Sequence, residues 1–224
     1  MKKVIVTGST GMIGKGVLLE CLESQDIEKV LIINRSSISL QHSKLEEIVM
    51  KDFLQVETIK DKLAGYDACF YCMGVSVLGL SEEEYTKITY TTTKAFADVM
   101  HSINPDMTFI YVSGQSTDST EKGKVMWARV KGKTENMVSK KGFKDAYAYR
   151  PGAIIPEKGV KSRTGWYNAM YAVMTPFFPL FKLSNSVTTT SRIGVSMIRL
   201  LSQPLNKKII DPPDINELAK AGVN

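Results

Sequence analysis

Apolar and polar positions alternate along this chain in a way that predicts strands and helices in turn. Val4-Ile5-Val6 is a short β-branched run without helical spacing, so it reads as a buried strand, and it leads directly into Gly8, Gly11 and Gly14. Val17, Leu18, Cys21 and Leu22 then recur at helical spacing, which puts the glycines on a strand-to-helix turn. Further strands are predicted at Lys29 to Ile33, Ile48 to Met50, Ala68 to Tyr71, Thr108 to Val112 and Ala146 to Tyr149, with a last one at Lys208 to Ile210. Ser81 with Glu84 forms a capping box, so a long helix starts there and runs toward His101, packing Tyr85, Ile88, Ala95, Phe96, Val99 and Met100. Thr190 to Leu201 carries Ile193, Met197, Leu200 and Leu201 on one stripe, and Asp214 with Glu217 marks a terminal helix. This order predicts an α/β fold, a doubly wound parallel sheet of the Rossmann type, occupying 1–224 as one domain.

From Ile155 onward the alternation loosens. Trp166 to Leu183 is rich in Trp, Tyr, Phe and Met, but Pro176, Pro179 and Lys182 break it, so no membrane span is expected there. Residues 155–190 read as a substrate- or partner-binding subregion of the single domain.

The glycines have a chemical use. Missing Cβ atoms let backbone approach a phosphate, and the amides and positive end of the following helix face the anion. Arg35 follows the second strand at Asn34-Arg35-Ser36, with no acid beside it in the sequence. An acid there would bind ribose hydroxyls, whereas an arginine pairs with a 2′-phosphate, so NADP is favoured over NAD.

Composition narrows the picture further. The 224 residues, 43% hydrophobic and 23% charged, suit one soluble globular domain. Met1-Lys2-Lys3 leads straight into the core pattern, which predicts a cytoplasmic protein. Cys21, Cys69 and Cys72 read as buried thiols rather than a disulfide framework, and His42 and His101 alone predict no metal site. The net charge of +6 is dispersed. Its densest run, Lys122, Lys124, Arg129, Lys131 and Lys133, reads as a solvated helix face with one lysine turned toward the cofactor, so no nucleic-acid partner is expected.

Thr7-Gly8-x-x-Gly11-x-x-Gly14 resembles the TGxxGxxG motif of the short-chain dehydrogenase/reductase superfamily, in its extended and atypical branches. The general likeness is to epimerase-like NAD(P)-binding proteins of the Tat-interacting-protein type, and it extends from Thr7 to about Leu201. The resemblance implies that the turn residues Thr7, Gly8, Ser9, Thr10, Gly11, Met12, Ile13 and Gly14 hold the pyrophosphate. It implies that Asn34 and Arg35 meet the adenosine ribose, and that Asp52 and Phe53 border the adenine. Cys72, Met73 and Gly74 form a strand end against the cofactor, and Arg150, Pro151 and Gly152 lie along the nicotinamide amide.

In that superfamily a Ser or Thr hydroxyl and a Tyr-x-x-x-Lys carry the proton chemistry. Here Trp127-Ala128-Arg129-Val130-Lys131 supplies the lysine without the tyrosine, and Gly114 stands at the hydroxyl position. Lys131 and Ser113 remain as the catalytic pair, with Ser116 and Thr117 as further hydroxyls and Tyr85 or Tyr111 as displaced phenols. Indole cannot relay a proton as a phenol does. The expected function is an NADP(H)-dependent oxidoreductase or epimerase-like enzyme on a small carbonyl or hydroxyl substrate. The alternative is a non-catalytic NADP(H) sensor that acts through a protein partner. The resemblance also implies a homodimer formed by the helix near Ser81 and the helix carrying Trp127.

Overall fold

The computed structural model describes residues 1–161, 178–181 and 184–220. Its strands are β1 (Lys2–Thr7), β2 (Ile27–Asn34), β3 (Leu45–Val49), β4 (Ala68–Tyr71), β5 (Thr108–Val112), β6 (Asp145–Tyr149), β7 (Ala153–Ile155), β8 (Val187–Thr189) and β9 (Ile209–Ile210). Among the described residues they form a seven-stranded sheet in the order β3-β2-β1-β4-β5-β6-β9 and a separate β7-β8 pair. Every pairing is parallel. Parallel strands need crossovers that cover the sheet, so its central strands are apolar on both faces.

That requirement explains why the core is double. Val4 and Val6 of β1 face a layer built by α1 (Met12–Glu23), α5 (Thr190–Leu200) and α6 (Pro212–Lys220), through Val17, Leu18, Ile193, Met197 and Ile215. Ile5 points the other way, toward the 3-10 segment Phe53–Leu63 and α3 (Thr92–Ile103), where Tyr71, Phe96, Met100 and Phe109 pack. Cys69 belongs to this second layer while Cys72 packs against the first, as strand alternation requires.

The Ser81 capping box is present: Ser81 Oγ accepts from Glu84 N at 3.2 Å and Ser81 N donates to Glu84 Oε2 at 2.8 Å. The long helix it opens is not uniform, since α2 (Glu82–Thr86) passes through a π turn at Lys87–Thr91 into α3. The third strand lies earlier than Ile48 to Met50, at Leu45–Val49, pairing Leu31 with Glu46 and Ile33 with Ile48. It is a sheet edge with exposed Glu46 and Glu47, so its apolar signal is thin. The β7-β8 pair joins the chain just after Gly152 to the start of α5. The aromatic stretch Trp166 to Leu183 lies outside the described residues except for one helical turn, Phe178–Phe181. No described helix is long and apolar enough to cross a membrane.

Candidate functional site

At the end of β1 the backbone turns sharply over Gly8, which has φ +70°. A Cβ on Gly8 would stand 2.8 Å from Cys72 O, so the turn lies directly against the end of β4. Gly11 N donates to Gly8 O at 2.9 Å, and Gly11 is the N-cap of α1. No side chain caps that helix and no acid lies in its first turn. The first-turn amides, Met12, Ile13 and Gly14 among them, have no partner within the helix, and they combine with its positive dipole end at one place. Such a terminus is a ready anion site.

The turn forms one wall of a cleft lined by Gly8, Thr10, Gly11, Asn34, Arg35, Phe53, Cys72, Met73 and Gly74. The cleft opens at the carboxyl ends of β1, β2 and β4, where the strand order reverses between β1 and β4. This is the topological switch point at which open α/β sheets bind ligands. Asn34 is buried at the end of β2, and its Nδ2 donates to Ser9 Oγ at 2.8 Å. Arg35, the next residue, is exposed. Asp52 accepts Leu54 N at 3.0 Å as the cap of the 3-10 segment. Phe53 is buried, its ring centroid 5.5 Å from that of Phe96. Thr7 is fully buried at the strand end.

Beyond β5 a second group gathers. Lys131, on α4 (Met126–Ser139), donates from Nζ to Ser113 O at 2.9 Å. Burial of the ammonium lowers its pKa to about 8, with the nearby Glu135 carboxylate opposing that shift. A Cβ on Gly114 would lie 3.6 Å from Nζ, so a side chain at that position would stand beside the lysine. Ser113 Oγ and Thr117 Oγ1 lie 3.0 Å apart, and Thr117 Oγ1 donates to Gly114 O at 2.7 Å. Because a hydroxyl carries one proton, Ser113 must donate to Thr117.

Glu135 follows Lys131 by one helical turn and is itself buried. Arg150 grips it with two bonds, Nε to Oε1 at 3.0 Å and Nη2 to Oε2 at 2.5 Å, and also donates to Ser119 Oγ at 2.6 Å. The Arg150 guanidinium therefore ties β6 to α4 and to the loop between β5 and α4.

The profile of the NAD dependent epimerase/dehydratase family matches residues 4–132, the part of the chain that holds the glycine turn, the cleft and Lys131. The chain belongs to this family. The yeast protein FMP52, mitochondrial, of Meyerozyma guilliermondii is 22% identical over 226 residues, covering 97% of this chain and 95% of that protein. Rat HTATIP2 is 22% identical over 166 residues, covering 73% of this chain and 67% of that protein. Among solved structures, the Helicobacter pylori ADP-L-glycero-D-manno-heptose-6-epimerase superposes with a TM-score of 0.68 at 14% identity, covering 98% of this chain and 81% of that one. A variant of Agrobacterium tumefaciens uronate dehydrogenase complexed with NAD superposes with a TM-score of 0.65 at 16% identity, covering 93% and 76%. Both likenesses establish the Rossmann-type fold.

In this epimerase/dehydratase family member, Trp127 occupies the first turn of α4, one turn before Lys131 and half-buried. Tyr85 and Tyr111 are both buried, and desolvation pushes the Tyr111 phenol well above its ordinary pKa while its ring packs 6.3 Å from Tyr71. Pro151 is buried, and its carbonyl accepts Gln115 N at 3.4 Å, so Arg150-Pro151-Gly152 is laid against the loop that follows Ser113. Sequence reasoning missed Glu135, whose i,i+4 spacing from Lys131 was the available signal. It also missed Glu47, which the register of β3 on β2 brings beside Asn34.

Proposed function

We propose that the protein binds NADP(H) across the β1/β4 cleft and works as an oxidoreductase or epimerase-like enzyme on a small carbonyl or hydroxyl compound. The observation that carries this reading is the uncapped, acid-free start of α1, packed against the end of β4 with exposed Arg35 at the far end of the same cleft. The cradle suits a pyrophosphate because the wall at Gly8, Gly11 and Gly14 is backbone, leaving amides to face the anion. Arg35 meets the 2′-phosphate, and Phe53, Met73 and Gly74 line the adenosine end. When bound, the dinucleotide supplies hydride exchange.

The chain's own residues do the rest. Lys131 is held by Ser113 O beside the gap at Gly114, where its cation binds the nicotinamide ribose and offsets negative charge that develops on a substrate oxygen. Ser113 and Thr117 form a hydroxyl pair behind it. Lys131 is protonated below its pKa of about 8 and neutral above it, so dinucleotide affinity should fall as pH rises through that value. Lys131→Arg stays charged throughout and should bind with a flat profile between pH 7 and 9. A profile in the variant that matches the wild type would remove Lys131 from the cofactor site.

A second reading has its own support. Trp127 and Gly114 stand where a phenol and a hydroxyl would act, and the Ser113 proton is committed to Thr117. The protein then binds NADP(H) and signals its redox state to a partner instead of turning substrate over. Calorimetric titration with NADPH, NADP⁺, NADH and NAD⁺, on wild type and Arg35→Ala, tests the binding common to both readings. The expected result is preference for the 2′-phosphate forms by about tenfold or more, lost in Arg35→Ala. Equal affinity for all four in the wild type would contradict the NADP assignment. Sustained NADPH oxidation with any carbonyl compound then separates enzyme from sensor.

A further inference from the structure

Arg35 has no acid beside it in sequence, but the fold brings one from the neighbouring strand against its chain neighbours Asn34, Ser37 and Ile38. Glu47 lies on the edge strand β3, in register with Ile32 of β2. Its Oε1 accepts from Asn34 Nδ2 at 3.4 Å and from Ile38 N at 3.1 Å, and its Oε2 accepts from Ser37 Oγ at 2.5 Å. Ser37 Oγ in turn accepts from Ser39 N at 3.2 Å, and Ser39 has φ +51°. On the other side Asn34 exchanges hydrogen bonds with Ser9 Oγ at 2.8 and 3.1 Å. One continuous polar path therefore runs from the glycine turn, through a buried amide, to a single carboxylate that holds the loop after β2. Both ends of the Arg35-Ser36 step are tied to that carboxylate, and both residues are exposed.

We propose that Glu47 is a positioning residue that presets the Arg35-Ser36-Ser37 loop for a ribose 2′-phosphate and so determines how strongly the protein discriminates between the two dinucleotides. This rests on the dinucleotide reading of the cleft. The carboxylate's lone pairs are directed at loop donors, so it acts as the anchor of the loop rather than as a ligand of the ribose hydroxyls. Ordering the loop before binding removes an entropy cost that a free loop would meet on capturing the phosphate. The benefit falls on the 2′-phosphate contact, because the pyrophosphate is held by the start of α1.

The test is calorimetric titration of the full chain with NADPH and NADH for wild type, Glu47→Ala, Glu47→Gln and Ser37→Ala, with thermal unfolding of each variant. Glu47→Ala should weaken NADPH binding about tenfold, the scale of lost charge-assisted hydrogen bonds, while NADH affinity changes by less than about twofold. Glu47→Gln keeps an acceptor oxygen and should recover most of the preference. Ser37→Ala removes one exposed loop hydroxyl without touching the strand, and should shift the preference the same way as Glu47→Ala. Parallel losses for NADPH and NADH, or an unchanged preference in both Glu47→Ala and Ser37→Ala, would overturn the proposal and leave the cleft assignment standing. Wild-type protein that binds neither dinucleotide would overturn both.

Discussion

Gly14→Ala is expected to abolish dinucleotide binding and to lower stability by about 1–3 kcal/mol, the usual cost of overpacking. The new Cβ would lie 2.3 Å from Gly8 O, 2.6 Å from Gly8 C and 3.0 Å from Ser9 N. All three are backbone atoms, so no side-chain rotation can relieve the clash. Either the first turn of α1 backs away from β1 or the Gly8 carbonyl swings out, and both break the Gly11 N to Gly8 O bond that shapes the cradle. Gly74→Ala serves as the control, because a Cβ there meets nothing within 4 Å, and it should leave unfolding unchanged. Thermal unfolding and titration of the two variants check this. If Gly14→Ala bound NADPH normally, the turn would not be the anion cradle.

Arg150→Met is expected to destabilise the protein by about 3–5 kcal/mol, the range for removing one partner of a buried ion pair. Side-chain exposure is 4% for Glu135 and 15% for Arg150, so the carboxylate cannot regain water when the guanidinium is lost. Adding Glu135→Leu should recover much of the loss, since replacing both partners with apolar groups removes the stranded charge. Urea denaturation of wild type, the single variant and the double variant measures both effects. An Arg150→Met protein as stable as wild type that has lost cofactor binding would instead make Arg150 a cofactor ligand and not a brace between β6 and α4.

These two variants show why some of the site was legible in the sequence and some was not. The glycine turn is a local demand of the backbone, complete within Thr7 to Gly14, and a central strand such as Ala68–Tyr71 is apolar on both faces, so its limits stand out. Edge strand β3 carries its polar residues outward, and its apolar signal is correspondingly faint. The pairing of Arg150 with Glu135 is not legible in the sequence, because Glu135 lies on α4 and becomes adjacent only when α4 packs on β6. Glu47 is hidden for the same reason: it lies thirteen positions along the chain from Asn34, and the β2-β3 register brings them together. Strands β7 and β8 are three residues each, too short to show a period. Trp127 and Gly114, by contrast, stand out in the sequence as departures from the Ser-Tyr-Lys pattern that the superfamily resemblance implies, and the Ser113-Thr117 bond adds a reason that the serine proton is not free.

Amide chemical-shift mapping of nitrogen-15-labelled protein saturated with NADPH tests dinucleotide binding in the β1/β4 cleft most directly. The largest changes are expected at Gly8, Gly11, Arg35 and Gly74, which line the β1/β4 cleft, and at Ile13 in the first turn of α1. Absence of any change at saturating NADPH, or changes confined to the α3-α4 surface around Tyr90 and Lys133, would contradict it.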